Sequence, residues 1–237
     1  MKQYTLSTAV NQLDLGKTTI TNKQLNVEKG VPYWANTEDI INIFLPRLTI
    51  IGDSREQSGE FEDLCKRYGI NFIRAKKGEG TDNLKEGDYT FIVQFDNNVY
   101  SYIGLVSYEL KRKISEFYGN CIKGRQRVKR EFERFGKKQY EKTVLMLEFA
   151  NTMTDLVGSE FTFWQNGRIV RKNTGKVMFS TVMSWKQPNN NNFDVIMATD
   201  PTKLFWLMIV DMFYYFRNDI RLECIEKGLI ENEQTSE

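Results

Sequence analysis

The sequence predicts an α/β fold, a sheet covered by helices on both faces. Three observations carry it. Apolar runs of strand length recur along the chain, at Leu48-Thr49-Ile50-Ile51, Thr143 to Phe149 and Phe193 to Thr199. Stretches with apolar residues at helical spacing stand between them. The chain of 237 residues is 41% hydrophobic and 13% aromatic, enough to bury one large core and too apolar for a disordered or low-complexity class.

Taken in order, residues 1–46 are mostly polar and read as an N-terminal appendage. Its amphipathic piece, Asn36 to Leu45, carries Ile40, Ile41, Ile43, Phe44 and Leu45 and is closed by Pro46. The first strand follows and ends at Gly52-Asp53. Phe61, Leu64, Cys65 and Tyr68 then mark a helix stopped by Gly69. Gly78 to Gly87 is a polar loop. Tyr89 to Gln94 and Tyr100 to Lys111 read as a hairpin around Asp96-Asn97-Asn98.

A long helix is expected from Ile114 to Phe135, with Gly119 and Gly124 as its weak points. Residues 150–176 carry turn signals at Gly158 and Gly167 but no clear period. A helix covers Val177 to Trp185 and stops before Pro188 and a run of asparagines. After the last strand, Asp200-Pro201 opens a helix that runs to Phe216. Residues 218–237 read as a charged, frayed C-terminal tail.

Absences narrow the chemistry. There is no histidine, which removes Ser-His-Asp and Cys-His machinery and most zinc and haem sites. What remains is carboxylates, Lys, Tyr, Ser, Cys, or a hard metal on oxygen ligands. Cys65, Cys121 and Cys224 lie too far apart for a CxxC pair and suit a reducing compartment. The N-terminus lacks an apolar signal core, and Leu204 to Phe216 is too short to span a bilayer. A soluble cytoplasmic protein without a membrane partner is the expectation.

The charge is uneven. From Glu109 to Lys142 there are twelve Lys/Arg against five Asp/Glu, in a chain whose net charge is +2. Lys123, Arg127, Arg130 and Arg134 recur at steps of four, three and four, so they share one face of the expected helix. Such a stripe is either a polyanion-binding surface or an ordinary solvated face.

The acids point to phosphodiester chemistry. Asp53 ends the first strand, with Arg55 and Glu56 just beyond it. Asp88 opens the second, and Glu109 and Lys111 share one face of the third. Asp53, Asp88 and Glu109 form a set able to hold Mg²⁺ or Mn²⁺ beside a lysine. A metal polarises the phosphoryl group and lowers the pKa of the attacking water. Lys111 supplies a cation where negative charge develops.

These residues, in this order, resemble the XPF-type nuclease domain of the PD-(D/E)xK superfamily. That pattern runs D-x-R-E, GDY, E-R-K, a further acid, and a GR pair. The matching pieces are Asp53-Ser54-Arg55-Glu56, Gly87-Asp88-Tyr89, Glu109-Leu110-Lys111, Glu116 and Gly124-Arg125. Leu110 replaces the pattern's arginine, and Glu116 lies one residue later than the pattern's acid.

The resemblance covers residues 47–217 and implies a restriction-endonuclease-like mixed sheet flanked by helices on both faces. It implies catalytic Asp53, Glu56, Asp88, Glu109 and Lys111. It sets Arg125 near the acids and makes Glu116 a further candidate. Arg55, Lys123, Arg125, Arg127, Arg130 and Arg134 are the expected DNA contacts. The implied activity is Mg²⁺- or Mn²⁺-dependent DNA cleavage at branches, flaps or junctions. The alternative is a non-catalytic DNA- or protein-binding module on a degenerate nuclease fold. A phage origin, which would put the protein in host cytoplasm, suits the short chain with its appended N-terminal segment, and the Asn/Lys-rich composition suits an AT-rich genome. A homodimer is expected through the helix at residues 204–216, apolar almost all round.

Overall fold

The computed structural model describes residues 31–55, 59–75, 84, 87–94, 101–122, 141–186 and 192–226. In chain order these form a short π-helical turn α1 (Asp39–Phe44), β1 (Leu48–Asp53), α2 (Glu60–Tyr68) and β2 (Asn71–Ala75). There follow β3 (Tyr89–Gln94), β4 (Ser101–Ile103), β5 (Val106–Lys111), α3 (Ile114–Ile122) and β6 (Lys142–Leu147). The chain continues through α4 (Met153–Gly158), β7 (Glu160–Gln165), β8 (Arg168–Asn173), α5 (Gly175–Trp185), β9 (Asn192–Met197) and α6 (Pro201–Glu226).

Seven strands build one mixed sheet in the order β2-β1-β3-β5-β6-β9, with β4 also paired to β3. Strand β3 runs antiparallel to β1, β4 and β5, while β1 and β2, β5 and β6, and β6 and β9 pair in parallel. Every strand of this sheet except β3 therefore points the same way. The carboxyl ends of β1, β5, β6 and β9 meet at one edge, the side where open α/β sheets bind ligands.

Helices cover both faces, as the sequence predicts. On one, α1, α2 and α6 bury Phe44, Phe61, Leu64, Leu204, Trp206 and Phe216 against Ile50, Phe91 and Tyr108. On the other, Phe117 and Cys121 of α3 and Met178, Val182 and Trp185 of α5 pack on Leu145 and Leu147. Asp211, the interruption in the apolar helix, accepts from Tyr108 Oη at 2.8 Å and from Lys142 Nζ at 2.6 Å. A half-buried carboxylate needs such partners.

Ile40, Phe44 and Leu45, set in the appendage by the sequence, lie inside the first core. The Phe44 ring stands 5.6 Å from both Phe213 and Phe216. The apolar face of α6 that suggests a second copy is thus covered within one chain over most of its length. The same helix runs well past Phe216. Ile220 and Cys224 continue the stripe at steps of four and are fully buried, so residues 218–226 are packed helix rather than frayed tail.

Three local differences have physical causes. The expected strand from Tyr100 to Lys111 is broken between β4 and β5. A Cβ on Gly104 would lie 2.4 Å from the Phe91 ring, and Thr90 Oγ1 donates to the carbonyls of both Gly104 and Val106. Strand β2 lacks an alternating signature because it is a partly exposed edge strand. Residues 150–176 resolve into α4, capped by Thr152 and Asp155, and a separate β7–β8 hairpin. The long helix expected to reach Phe135 is present as α3 to Ile122, and its remainder lies outside the described residues.

No disulfide joins Cys65, Cys121 and Cys224, all buried. Among the described residues no helix is long and apolar enough to cross a membrane.

Candidate active site

Three strands bring the acids together. In β1, Leu48 and Ile50 enter the first core, so alternation turns Asp53 to the opposite face. In β5, Val106, Tyr108 and Leu110 enter that core, which turns Glu109 and Lys111 to the same opposite face. Asp88 lies between the two strands. Its carbonyl accepts the Asp53 N–H, and its own N–H donates to the Tyr108 carbonyl, both at 2.8 Å.

Gly87 makes that approach possible. Its φ is +80°, where only glycine is unstrained, and a Cβ there would lie 1.9 Å from Ser107 Oγ. The Gly-Asp-Tyr sequence is thus a close-contact turn. Gly87 touches β5, Asp88 bridges two strands, and Tyr89 turns into the core.

Each acid is held. Asp53, 1% exposed, accepts from the Arg55 N–H at 2.7 Å and from Nε at 2.8 Å on one oxygen, and from Nη2 at 2.9 Å on the other. Arg55 Nη2 also donates to the Leu84 carbonyl at 3.1 Å, tying the loop before Gly87 to the end of β1. Asp88 Oδ2 accepts the Leu110 N–H at 2.7 Å. Lys111 Nζ lies 2.5 Å from Glu109 Oε1 and 3.1 Å from Glu116 Oε1 on α3.

The electrostatics couple these groups. The hydrogen bond to Asp53 raises the Arg55 pKa above its ordinary value. The charges of Asp53, Asp88 and Glu109 add to it, while burial opposes it. Burial works against the charge on Lys111, but the charge and hydrogen bond of Glu109, with Glu116 and Asp88, raise its pKa well above the usual lysine value. Lys111 is therefore a fixed cation at neutral pH, not a base. In this set two cations face four carboxylates.

Mg²⁺ is typically bound by one or two carboxylates together with water and substrate phosphate, rather than by an all-protein cage. Among the described residues no three Asp, Glu, Cys or His side chains group tightly enough to hold a metal ion. Asp88, in the turn before β3, and Glu109 on β5 are the two expected ligands that the looser two-carboxylate mode would use. Both oxygens of Asp53 are engaged by Arg55.

Asp53, Asp88, Glu109, Lys111 and Glu116 are thus one constellation, with Arg55 joined to it. Glu56, Lys123, Arg125, Arg127, Arg130 and Arg134 lie outside the described residues. The sequence reading passed over Arg112. It bridges Glu60 of α2 and Glu148 after β6, the latter at 2.8 Å, and stands 5.8 Å from the Phe61 ring centre. Its signal was positional. Lys111 pairs with Leu147 in register, so the next residues, Arg112 and Glu148, emerge side by side.

Among solved structures the chain is similar to XPF from Aeropyrum pernix, with a TM-score of 0.46 and 15% sequence identity over 75% of this chain and 71% of that one. No protein-family model matches the sequence, and no curated protein sequence matches it.

Proposed function

We propose that this chain is a metal-dependent endonuclease that hydrolyses DNA phosphodiester bonds at branches, flaps or single–double-strand junctions. The observation that carries the reading is the meeting of Asp53, Asp88, Glu109 and Lys111 at the carboxyl edge of the sheet, with more negative charge than its own cations balance. Asp88 and Glu109 would hold Mg²⁺ or Mn²⁺, and a metal there would supply the charge that polarises the phosphoryl group and acidifies the attacking water. Lys111, kept protonated by Glu109 and Glu116, stabilises charge developing on the phosphate. Asp53 aims the Arg55 guanidinium, whose side chain remains 67% exposed and open to a substrate phosphate. A homodimer extends the reading, through the outer surface of α6 where Tyr214 and Leu222 stay exposed.

A second reading rests on a specific observation. Asp53 is satisfied by Arg55 and Glu109 by Lys111, an arrangement that also suits a purely structural ion-pair network in a DNA- or protein-binding module. Incubating the protein with duplex, flap, nicked and four-way DNA in Mg²⁺, with a chelator control, separates them. Metal-dependent cutting supports the first reading. Binding without cutting supports the second.

A further inference from the structure

Strands β7 and β8 form a two-stranded sheet apart from the main one. Their hairpin starts beyond the carboxyl end of β6, on the edge that carries the acids. Its turn is Asn166-Gly167, with φ of 51° and 74°. Both centres have positive φ, as the tightest two-residue hairpin turns require.

The base of the hairpin is closed by hydrogen bonds. The Ser159 carbonyl accepts from the N–H groups of Thr174 and Gly175, closing the two strands together. A Cβ on Gly175 would lie 2.0 Å from the Val157 carbonyl oxygen, so α4 and α5 meet directly beneath the hairpin. The Phe161 ring stands 6.2 Å from Tyr118 on α3, the helix whose Glu116 reaches Lys111. The hairpin is therefore packed against α3, two residues along from Glu116.

Beyond that base it adds little to the fold. Among the described side chains it supplies none to either apolar core. An isolated two-stranded hairpin is at best marginally stable, so its stability comes from its base. What it presents outward is charge. Strand β8 carries Arg168 and Arg171, both exposed. Arg168 is exposed with no acidic partner among the described residues, and Arg171, 79% exposed, only approaches Glu160 at 3.8 Å. Ile169 is exposed as well. Three residues apart on a strand, Arg168 and Arg171 stand on opposite faces of the ribbon.

We propose that the β7–β8 hairpin is a nucleic-acid-binding ribbon that lies in a groove of double-stranded DNA and seats the duplex beside the acid cluster. This rests on the nuclease reading for its purpose, but not for its physics. A two-stranded β-ribbon fits the major groove of B-form DNA. Entering edge-on, the ribbon turns one face to each groove wall, so Arg168 and Arg171 meet phosphates on opposite walls, and the hydrogen-bonded base holds the ribbon on α4 and α5.

The test is duplex binding by fluorescence anisotropy across a salt series, in chelator so that cleavage is silent, with the full chain. The variants are Arg168→Glu with Arg171→Glu, and the milder Arg168→Gln with Arg171→Gln. A thermal melt of each confirms that it is folded. The expected result is at least about tenfold weaker binding, with the log–log salt slope shallower by about two. Folded variants with wild-type affinity and slope overturn the proposal. So does wild-type protein that binds polyglutamate through these arginines while ignoring duplex DNA.

The failure of the nuclease reading looks different. Wild-type protein would then cut no DNA in Mg²⁺, whereas the loss of binding in the arginine variants would still stand and support the ribbon. Conversely, wild-type cutting with hairpin-independent binding would retire the ribbon alone.

Discussion

Gly87→Ala tests how the acid cluster is built. The substitution introduces two faults. The residue sits at φ +80°, and an L side chain in the left-handed region costs about 1–2 kcal/mol. The new Cβ also meets Ser107 Oγ at 1.9 Å, an overlap in a buried strand that costs about 1–3 kcal/mol to relieve. Together the single variant should lose about 2–5 kcal/mol. In a Ser107→Ala background the hydroxyl is gone, and the nearest remaining atoms are the Tyr108 carbonyl oxygen at 3.2 Å and the residue-107 Cβ at 3.3 Å. Only the backbone strain and some crowding should persist, about 1–2 kcal/mol. Urea denaturation of the four proteins in this cycle should therefore give a coupling of about 1–3 kcal/mol, with the double variant more stable than the sum of singles predicts. A coupling below about 0.5 kcal/mol would refute the close-contact turn. Because Asp88 bonds to β1 and β5 from this turn, the single variant should also lose cleavage, and the Ser107→Ala background should recover part of it.

Three further outcomes are expected. On the nuclease reading, Asp88→Asn and Glu109→Gln should each abolish cleavage while leaving the fold and most DNA affinity intact, and wild-type cutting by either removes that residue from the proposed metal site. Lys111→Ala should lower turnover sharply and leave Mn²⁺ affinity, read by calorimetry, nearly unchanged; lost metal binding would make Lys111 structural. Burial raises the Asp219 pKa, and Glu141 adds to it against the opposing Tyr102 hydrogen bond. The stability linked to Asp219 is therefore whole below the ordinary carboxylate range and is lost as pH rises through its raised value. Asp219→Asn keeps an acceptor for Tyr102, so melting temperatures from about pH 4 to 7 should show the variant gaining on wild type as pH rises. Parallel curves would contradict that assignment.

Much of this molecule was legible where burial imposes a period. The runs around Ile50, Leu145 and Val195 lie in strands, and Gly69 does end a helix, with φ +72°. The shared face of Glu109 and Lys111 followed from alternation, and the nearness of Asp53 and Asp88 from their places at the ends of adjacent strands. What escaped detection depended on partners distant in sequence. Ile220 and Cys224 continue a stripe that the surrounding charges hide. Asn166-Gly167 is a strong hairpin signal, but among the described side chains its strands supply none to either core, so burial imposes no clear period on them. Arg112 looked like one more basic residue until β6 set Glu148 beside it. The internal ties of Asp53 to Arg55 and of Glu109 to Lys111 needed distances, which spacing does not supply.

Asp211 has a consequence for how the long C-terminal helix tolerates change. A helix apolar almost all round has no intrinsic azimuth, since many rotations about its axis bury similar area. A carboxylate that must meet both Tyr108 and Lys142, seconded by Asp219 on Tyr102 two turns later, removes that freedom and works as a key in a slot. Each inserted residue would swing the key by about 100°. Exchanges among Leu, Met and Phe along α6 should then be absorbed by repacking, while moving the acid by one position should unseat the whole helix.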